Sequence, residues 1–225
     1  MRIIFVRHGH HINDCLTPLG NKQAAAAAQR LQEEGIQKIF SSTRRRAYET
    51  AEYTANQFGI SMEKCDFMQE IGWGSLDKPL YTDGSPWTAT DDMVDDNESL
   101  LCQDWMKKQP FCNNRVVDYV QEVAEATDVW LQKLGYSREG NYYRVIGDTE
   151  KTIAVFGHGG ASSAILSHLF NLPFPFVCAT IRPDYTSITI VELSNEKGSL
   201  VTPRFEILND DRHIQKFKTM NTYEG

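Results

Sequence analysis

Three short stretches of this chain carry residue types that can hold an anion and attack it. They are Arg7-His8-Gly9, Arg44-Arg45-Arg46 and His158-Gly159-Gly160. Histidine offers a nucleophilic or proton-accepting nitrogen; arginine offers a planar fork of donors matched to phosphate and carboxylate oxygens. The arginine run is the most informative. It opens a helical stretch, where the macrodipole already presents roughly half a positive charge, so each added cation is unfavourable by a few tenths to about 1 kcal/mol. A solvated basic patch accounts for Arg44 and Arg45. For at least one of the three, a bound anion turns a liability into a site. Adding Arg7 and two histidines makes a phosphate-sized anion the natural occupant. Each stretch alone is a weak signal, because a histidine after a strand is more often a satisfied structural residue. His10 and His11 lie beside His8, but no carboxylate or cysteine stands at ligand spacing to them. They read as residues of a cleft mouth rather than metal ligands.

Such residues need a scaffold that gathers them. The apolar run 3–6 breaks straight into Arg7 and His8, with Gly9 allowing a sharp turn, and 152–156 runs into Gly157 and His158 in the same way. Continuous apolar runs of this length read as buried strands of a parallel sheet. A shorter strand at 38–40 precedes the arginines. In an open α/β sheet, ligands collect beyond the carboxyl ends of the strands, so stretches far apart in sequence meet on one edge. The helices between are punctuated: Thr17 as cap, Pro18 at the first position and Gly35 as stop, then Ser41, Ser42 or Thr43 capping a helix from about 44 to 58 that ends at Gly59. This alternation predicts an α/β fold with a parallel sheet. Residues 72–113 break the pattern with glycines, prolines and the acidic cluster Asp91, Asp92, Asp95, Asp96 and Glu98. They read as an insertion of loops and one or two short helices, a partial lid over the cleft, within a single domain spanning 1–225. Trp73, Tyr81 and Trp87 are either substrate contacts or its small core. A helix follows from near Asn114 to Gly135, then a short edge strand at 142–146. The runs 187–193 and 200–208, joined through Asn195-Glu196-Lys197-Gly198, read as a hairpin whose strands could form an exposed edge and a homodimer contact.

The formal net charge of −7 argues against nucleic acid or an acidic membrane surface as partner. An anionic substrate must therefore be drawn by a local positive pocket. The five cysteines are scattered with no Cys-x-x-Cys pair, which fits a reducing, cytoplasmic setting. No run approaches the roughly 20 apolar residues that span a bilayer, and 3–6 is too short for a signal peptide.

Taken together, the motifs resemble the histidine phosphatase superfamily, the phosphoglycerate-mutase-like family. The resemblance runs through Arg7-His8-Gly9, Asp14-x-Leu16-Thr17-x-x-Gly20-x-x-Gln23-Ala24, Ser41-Ser42-x-x-x-Arg46-Ala47-x-x-Thr50-Ala51, Glu70-Ile71-x-Trp73-Gly74, His158-Gly159-Gly160 and Asn209-Asp210-x-x-His213. It implies a three-layer α/β/α sandwich, with a mostly parallel central sheet, helices on both faces and an inserted cap. It also implies a metal-independent, cofactor-free phosphatase of the histidine acid phosphatase type, acting on a small-molecule phosphate ester. His8 would be the nucleophile, carrying a phosphohistidine. Arg7, Arg46 and His158 would hold the phosphoryl oxygens. Glu70 would be the general acid and then the base, with Ile71 and Trp73 as apolar neighbours favouring its protonated form and Glu63 as a nearby competitor. Gly9, His10, Asn13 and Gly159 are the expected substrate-binding residues, with the Gly159 and Gly160 amides pointing at the anion. Many members carry Glu directly after the first Gly, where this chain has His10. Two other readings stand beside this one: a mutase, disfavoured because Gln69-Glu70-Ile71-Gly72-Trp73-Gly74 replaces the longer motif Asn-Glu-Arg-His-Tyr-Gly, and an inactive phosphate-binding module.

Overall fold

The computed structural model describes residues 1–218; the remainder of the 1–225 domain expected from the sequence, residues 219–225, lies outside them. The first strand, β1 (Arg2–Arg7), is buried on both faces and shows why three layers form. Its Ile3 and Phe5 enter one hydrophobic core and its Ile4 and Val6 the other, as period-two side chains must when both faces are covered. β4 (Lys38–Ser41) and β8 (Thr152–Gly157) divide likewise: Phe40, Ile153 and Val155 face the first core, Ile39, Ala154 and Phe156 the second. These strands join β5 (Met62–Lys64), β9 (Ile188–Glu192) and β11 (Arg204–Asp210) in a six-stranded sheet of order β11-β9-β1-β8-β4-β5. β1, β8, β4 and β5 run parallel, and β9 is antiparallel to both β1 and β11.

The second core is closed by α2 (Arg45–Phe58), through Ala51 and Ala55, with α1 (Pro18–Arg30) packed beside it. The first core takes α4 (Val116–Lys133), α5 (Gly159–Phe170) and α6 (Phe174–Thr180). The fold is therefore the expected α/β/α arrangement. Within residues 72–113, α3 (Pro86–Asp95) starts from a Ser85–Thr88 capping box and packs against α6. Trp73, Trp105 and Phe111 form a buried aromatic group there, and Trp105 reaches Phe174 of α6 with ring centroids 5.6 Å apart.

Local expectations differ at several points. Thr17 caps α1, accepting from the Gly20 amide, but the helix stops at Arg30 and Gly35 sits in a later left-handed turn. None of Ser41, Ser42 or Thr43 occupies the cap of α2: Arg44 does, without a side-chain bond. The runs 187–193 and 200–208 do pair antiparallel, as β9 and β11, but through a longer connection than Asn195-Glu196-Lys197-Gly198, because β10 (Leu200–Val201) leaves the central sheet. It joins β6 (Tyr136–Glu139) and β7 (Tyr142–Val145) in a second, three-stranded sheet. The strand expected at 142–146 is thus the middle of that sheet rather than an edge, and β11 instead lies at one edge of the main one. The loop after β1 hides a small ribbon of β2 (His11–Ile12) and β3 (Cys15–Leu16). All five cysteines are free. No helix among the described residues is long and apolar enough to cross a membrane.

The loop after β1 is pressed onto the start of α1 without intervening side chains. A Cβ added to Gly20 would lie 2.0 Å from the His10 carbonyl oxygen, and one added to Gly9 would lie 2.8 Å from the Gly20 carbonyl oxygen. Backbone cannot yield there as a flexible side chain can. Gly20→Ala is expected to lower stability by about 1–3 kcal/mol, seen as a lower urea midpoint at unchanged m-value.

Candidate active site

The three parallel strands β1, β4 and β8 end side by side, and backbone bonds lock their exits together. The His8 amide donates to the Gly157 carbonyl at 3.0 Å and the Ser42 amide to the Phe156 carbonyl at 2.9 Å. His8, Arg46 and His158 are thereby brought to one point, as their positions after the strands predict. Further bonds hold the loop: the Gly9 amide donates to Thr50 Oγ1 at 3.0 Å and the His10 amide to Gln23 Oε1 at 2.8 Å.

His8 is 2% exposed. Its Nδ1 lies 2.9 Å from the Gly9 carbonyl, which can only accept, so Nδ1 carries the proton and Nε2 presents its lone pair. Arg46 Nε donates to that Nε2 at 3.1 Å. Burial, with smaller repulsions from Arg7, Arg46 and His11, pushes the His8 imidazole down to about 2 despite the Gly9 bond. Both bonds suit the neutral imidazole, with Nε2 free to act as base or nucleophile. His158 is fully buried, its ring centroid 5.0 Å from that of His8. Its Nε2 pairs with Ser42 Oγ at 2.9 Å, while Nδ1 is buried without a partner. Burial again, then repulsion from His8 and Arg46, holds it well below the ordinary histidine range.

The arginines are anchored differently. Arg7 donates from Nη1 to the Pro183 carbonyl at 2.7 Å and lies over the Tyr185 ring, 4.3 Å from its centroid; its Nε is buried and unpartnered. Arg46 makes a 2.5 Å ion pair with Asp14. Of the other two arginines of the run, Arg45 pairs with Glu49 at 2.6 Å and Arg44 is exposed.

Glu70 faces this group. Its Oε1 accepts from the Gly160, Ala161 and Ile71 amides at 2.9, 3.2 and 3.2 Å. The amides that open α5 thus meet a carboxylate of the chain itself, where a bound anion was expected to receive them. Burial raises the Glu70 pKa, and the opposing pulls of Arg7, Arg46 and the amides do not cancel the rise. Ile71 is buried beside it; Trp73 belongs to the aromatic group of residues 72–113; Glu63 is exposed on β5. Ligand atoms of His8, Glu70 and His158 lie within 4.8 Å of one another. The two guanidinium groups beside them oppose a cation in that space and favour an anion.

The expected substrate-binding residues are less uniform. Gly9 and Gly159 are at the site, where a Cβ on Gly159 would stand 3.2 Å from Trp87. His10 bonds through Nδ1 to Thr17 Oγ1 at 2.9 Å and sets its ring edge-on to Tyr185, centroids 5.4 Å apart. Asn13 sits exposed in the turn between β2 and β3 at φ 48°, and it is the adjacent Asp14 that meets Arg46. His11 instead packs edge-on to His8, centroids 4.6 Å apart.

Tyr185 and the Pro183 carbonyl are components that sequence reasoning misses. They enter on the loop before β9, which runs antiparallel to β1 and so begins at the edge where β1 ends. The motif Asn209-Asp210-x-x-His213 secures that loop: Asn209 donates from Nδ2 to the Arg182 carbonyl at 2.8 Å and accepts from the Asp184 amide at 3.2 Å. His213 lies 3.3 Å from Thr186 Oγ1.

Comparison with known proteins bears on the family and the fold. The family model of the histidine phosphatase superfamily (branch 1) matches residues 3–128 and 143–205. No curated protein sequence matches the chain. Among solved structures, a mycobacterial glucosyl-3-phosphoglycerate phosphatase is 20% identical, with 92% of this chain and 98% of that chain covered at a TM-score of 0.62. A phosphoserine phosphatase mutant from Entamoeba histolytica, in complex with phosphoserine, is 18% identical, covering 95% and 98% at 0.62. A protein described as mycobacterial hydrolase 1 is 20% identical, covering 93% and 98% at 0.62. At such identities these likenesses speak for the fold, while the family match spans the strand-end motifs themselves: the chain belongs to the histidine phosphatase superfamily, branch 1.

Proposed function

We propose that the protein is a phosphatase that hydrolyses a small-molecule phosphate monoester through a phosphohistidine on His8, without a metal. The observation that carries this reading is the state of His8: neutral, its proton held on Nδ1 by the Gly9 carbonyl, its Nε2 lone pair turned to Arg46. Buried and unpartnered nitrogens on Arg7 and His158 add donors for the oxygens of a phosphoryl group. Phosphoserine and glucosyl-3-phosphoglycerate, the compounds named for the structural neighbours, are small phosphate esters and support that substrate class.

In the first displacement Arg46 Nε leaves His8 for a phosphoryl oxygen, and His8 Nε2 attacks phosphorus. The N–P bond forms as the ester P–O bond breaks, and protonated Glu70 gives its proton to the departing oxygen. In the second, Glu70 takes a proton from water as that water attacks phosphorus. The N–P bond breaks, inorganic phosphate leaves and His8 is neutral again. Arg7, Arg46 and His158 stabilise the charge of both transition states. Residues 72–113 serve as a lid, with Trp87 closing over Gly159.

Inorganic phosphate should be released from aryl and alkyl phosphates with a chelator present. His8→Ala should lose activity by on the order of 10³-fold or more, together with an acid-labile, base-stable phosphoenzyme trapped by quench from labelled substrate. Chelator-sensitive turnover that survives His8→Ala would sink the reading.

Glu70 generates a second test. Protonated Glu70 is needed in the first step and burial raises its pKa, so kcat/KM should be highest on the acid side and fall as pH rises through that raised pKa. Glu70→Gln should show a stoichiometric burst with an aryl phosphate, whose leaving group needs little protonation, followed by turnover slowed about 10²–10⁴-fold. An alkyl phosphate should show no burst.

A further inference from the structure

The arginine run at the start of α2 is answered by a carboxylate from a different part of the chain. Asp14, in the turn between β2 and β3, directs Oδ1 to Arg46 Nη1 at 2.5 Å and accepts the Arg45 amide on Oδ2 at 3.3 Å. It adopts φ 68°, next to Asn13 at φ 48°, so the ribbon turn holds two consecutive non-glycine residues in left-handed geometry. That conformation is uphill for such residues, and here it aims the carboxylate at Arg46. The same guanidinium donates through Nε to His8 Nε2. Asp14, Arg46 and His8 thus form one bonded chain, its negative end at the surface and its nucleophile at the other end. Arg46 is 14% exposed in its side chain and Asp14 36%, so water screens the pair only in part.

Resting on the phosphatase reading above, we infer that Asp14 is a built-in counter-anion of the phosphoryl site: it orients Arg46 toward His8 and holds down the affinity for phosphate so that product can leave. With Arg7 and Arg46 both charged and both imidazoles neutral, Asp14 removes one unit from the positive charge that a phosphate dianion meets. A dianion held by two uncompensated arginines would be bound tightly before and after reaction alike, and such uniform binding does nothing for the chemical step. Asp14 is a positioning residue, since it touches Arg46 rather than substrate.

Asp14→Asn separates this role from a merely structural one. Asparagine keeps an oxygen for Arg46 and caps helices about as well as aspartate, so the turn and the start of α2 are preserved while the charge is lost. The expected result at pH 7 and low salt is a competitive Ki for inorganic phosphate lowered about 5–10-fold, the scale of one partly screened charge. KM should fall in parallel and kcat should not rise. The difference from the unsubstituted protein should shrink as salt is added. Asp14→Glu should restore the weaker phosphate binding. A Ki that is unchanged or raised in Asp14→Asn, with thermal stability within a degree or so of the original, overturns the inference. A protein with Asp14 intact that neither binds phosphate nor releases it from esters would instead overturn the phosphatase reading itself.

Discussion

Everything in the site depends on keeping one imidazole neutral and oriented between two fixed positive charges. Burial first, and then Arg7 and Arg46, disfavour the charged form of His8, and the bond from its Nδ1 to the Gly9 carbonyl selects which nitrogen remains free. A single backbone carbonyl therefore decides that the lone pair faces Arg46. The bond is local, between adjacent residues, but it is useful only because the surrounding structure brings the arginines to the same nitrogen.

The sheet edge does that work. Strands β1, β8 and β4 are neighbours, so three loops that leave them must start within a few ångströms of each other. Their exits are then fastened by amide–carbonyl bonds, and the loop after β1 is pinned to α1 and α2 by Gln23 and Thr50. The two cores below, one on each face, prevent this edge from shifting. Packing and chemistry meet at Gly9 and Gly20, where two backbones touch with no room for a Cβ.

Charge placement follows a consistent logic. Each arginine beside His8 is restrained by an acceptor of the chain itself: Arg7 by the Pro183 carbonyl, Arg46 by Asp14. Glu70 receives the opposite treatment. It is set at the N-terminus of α5, where amides stabilise the carboxylate, yet burial prevails and favours its protonated form. Three amides thus fix where the carboxyl points, while burial raises its pKa. The two guanidiniums pull against that rise.

Much of this was legible in the chain. The apolar runs ending at Arg7 and Gly157 marked buried strands, and an arginine cluster at a helix start called for compensating negative charge, part of which the chain itself supplies through Glu49 and Asp14. These readings rest on local rules: side-chain period, turn residues and helix dipole. What local rules could not reach were the contributions made across the fold. Asp14 opened one of the motifs, but nothing in its spacing placed it on Arg46. Tyr185 and the Pro183 carbonyl depended on β9 running antiparallel to β1, which periodicity does not encode. The split of 187–208 between two sheets had the same origin, since strand pairing is a long-range choice. By itself the sequence determined which residues stand at strand ends and helix starts, because those depend on neighbours in the chain. The tertiary structure alone decided which charges restrain them, because an ion pair is set by distance in space and not by separation along the backbone.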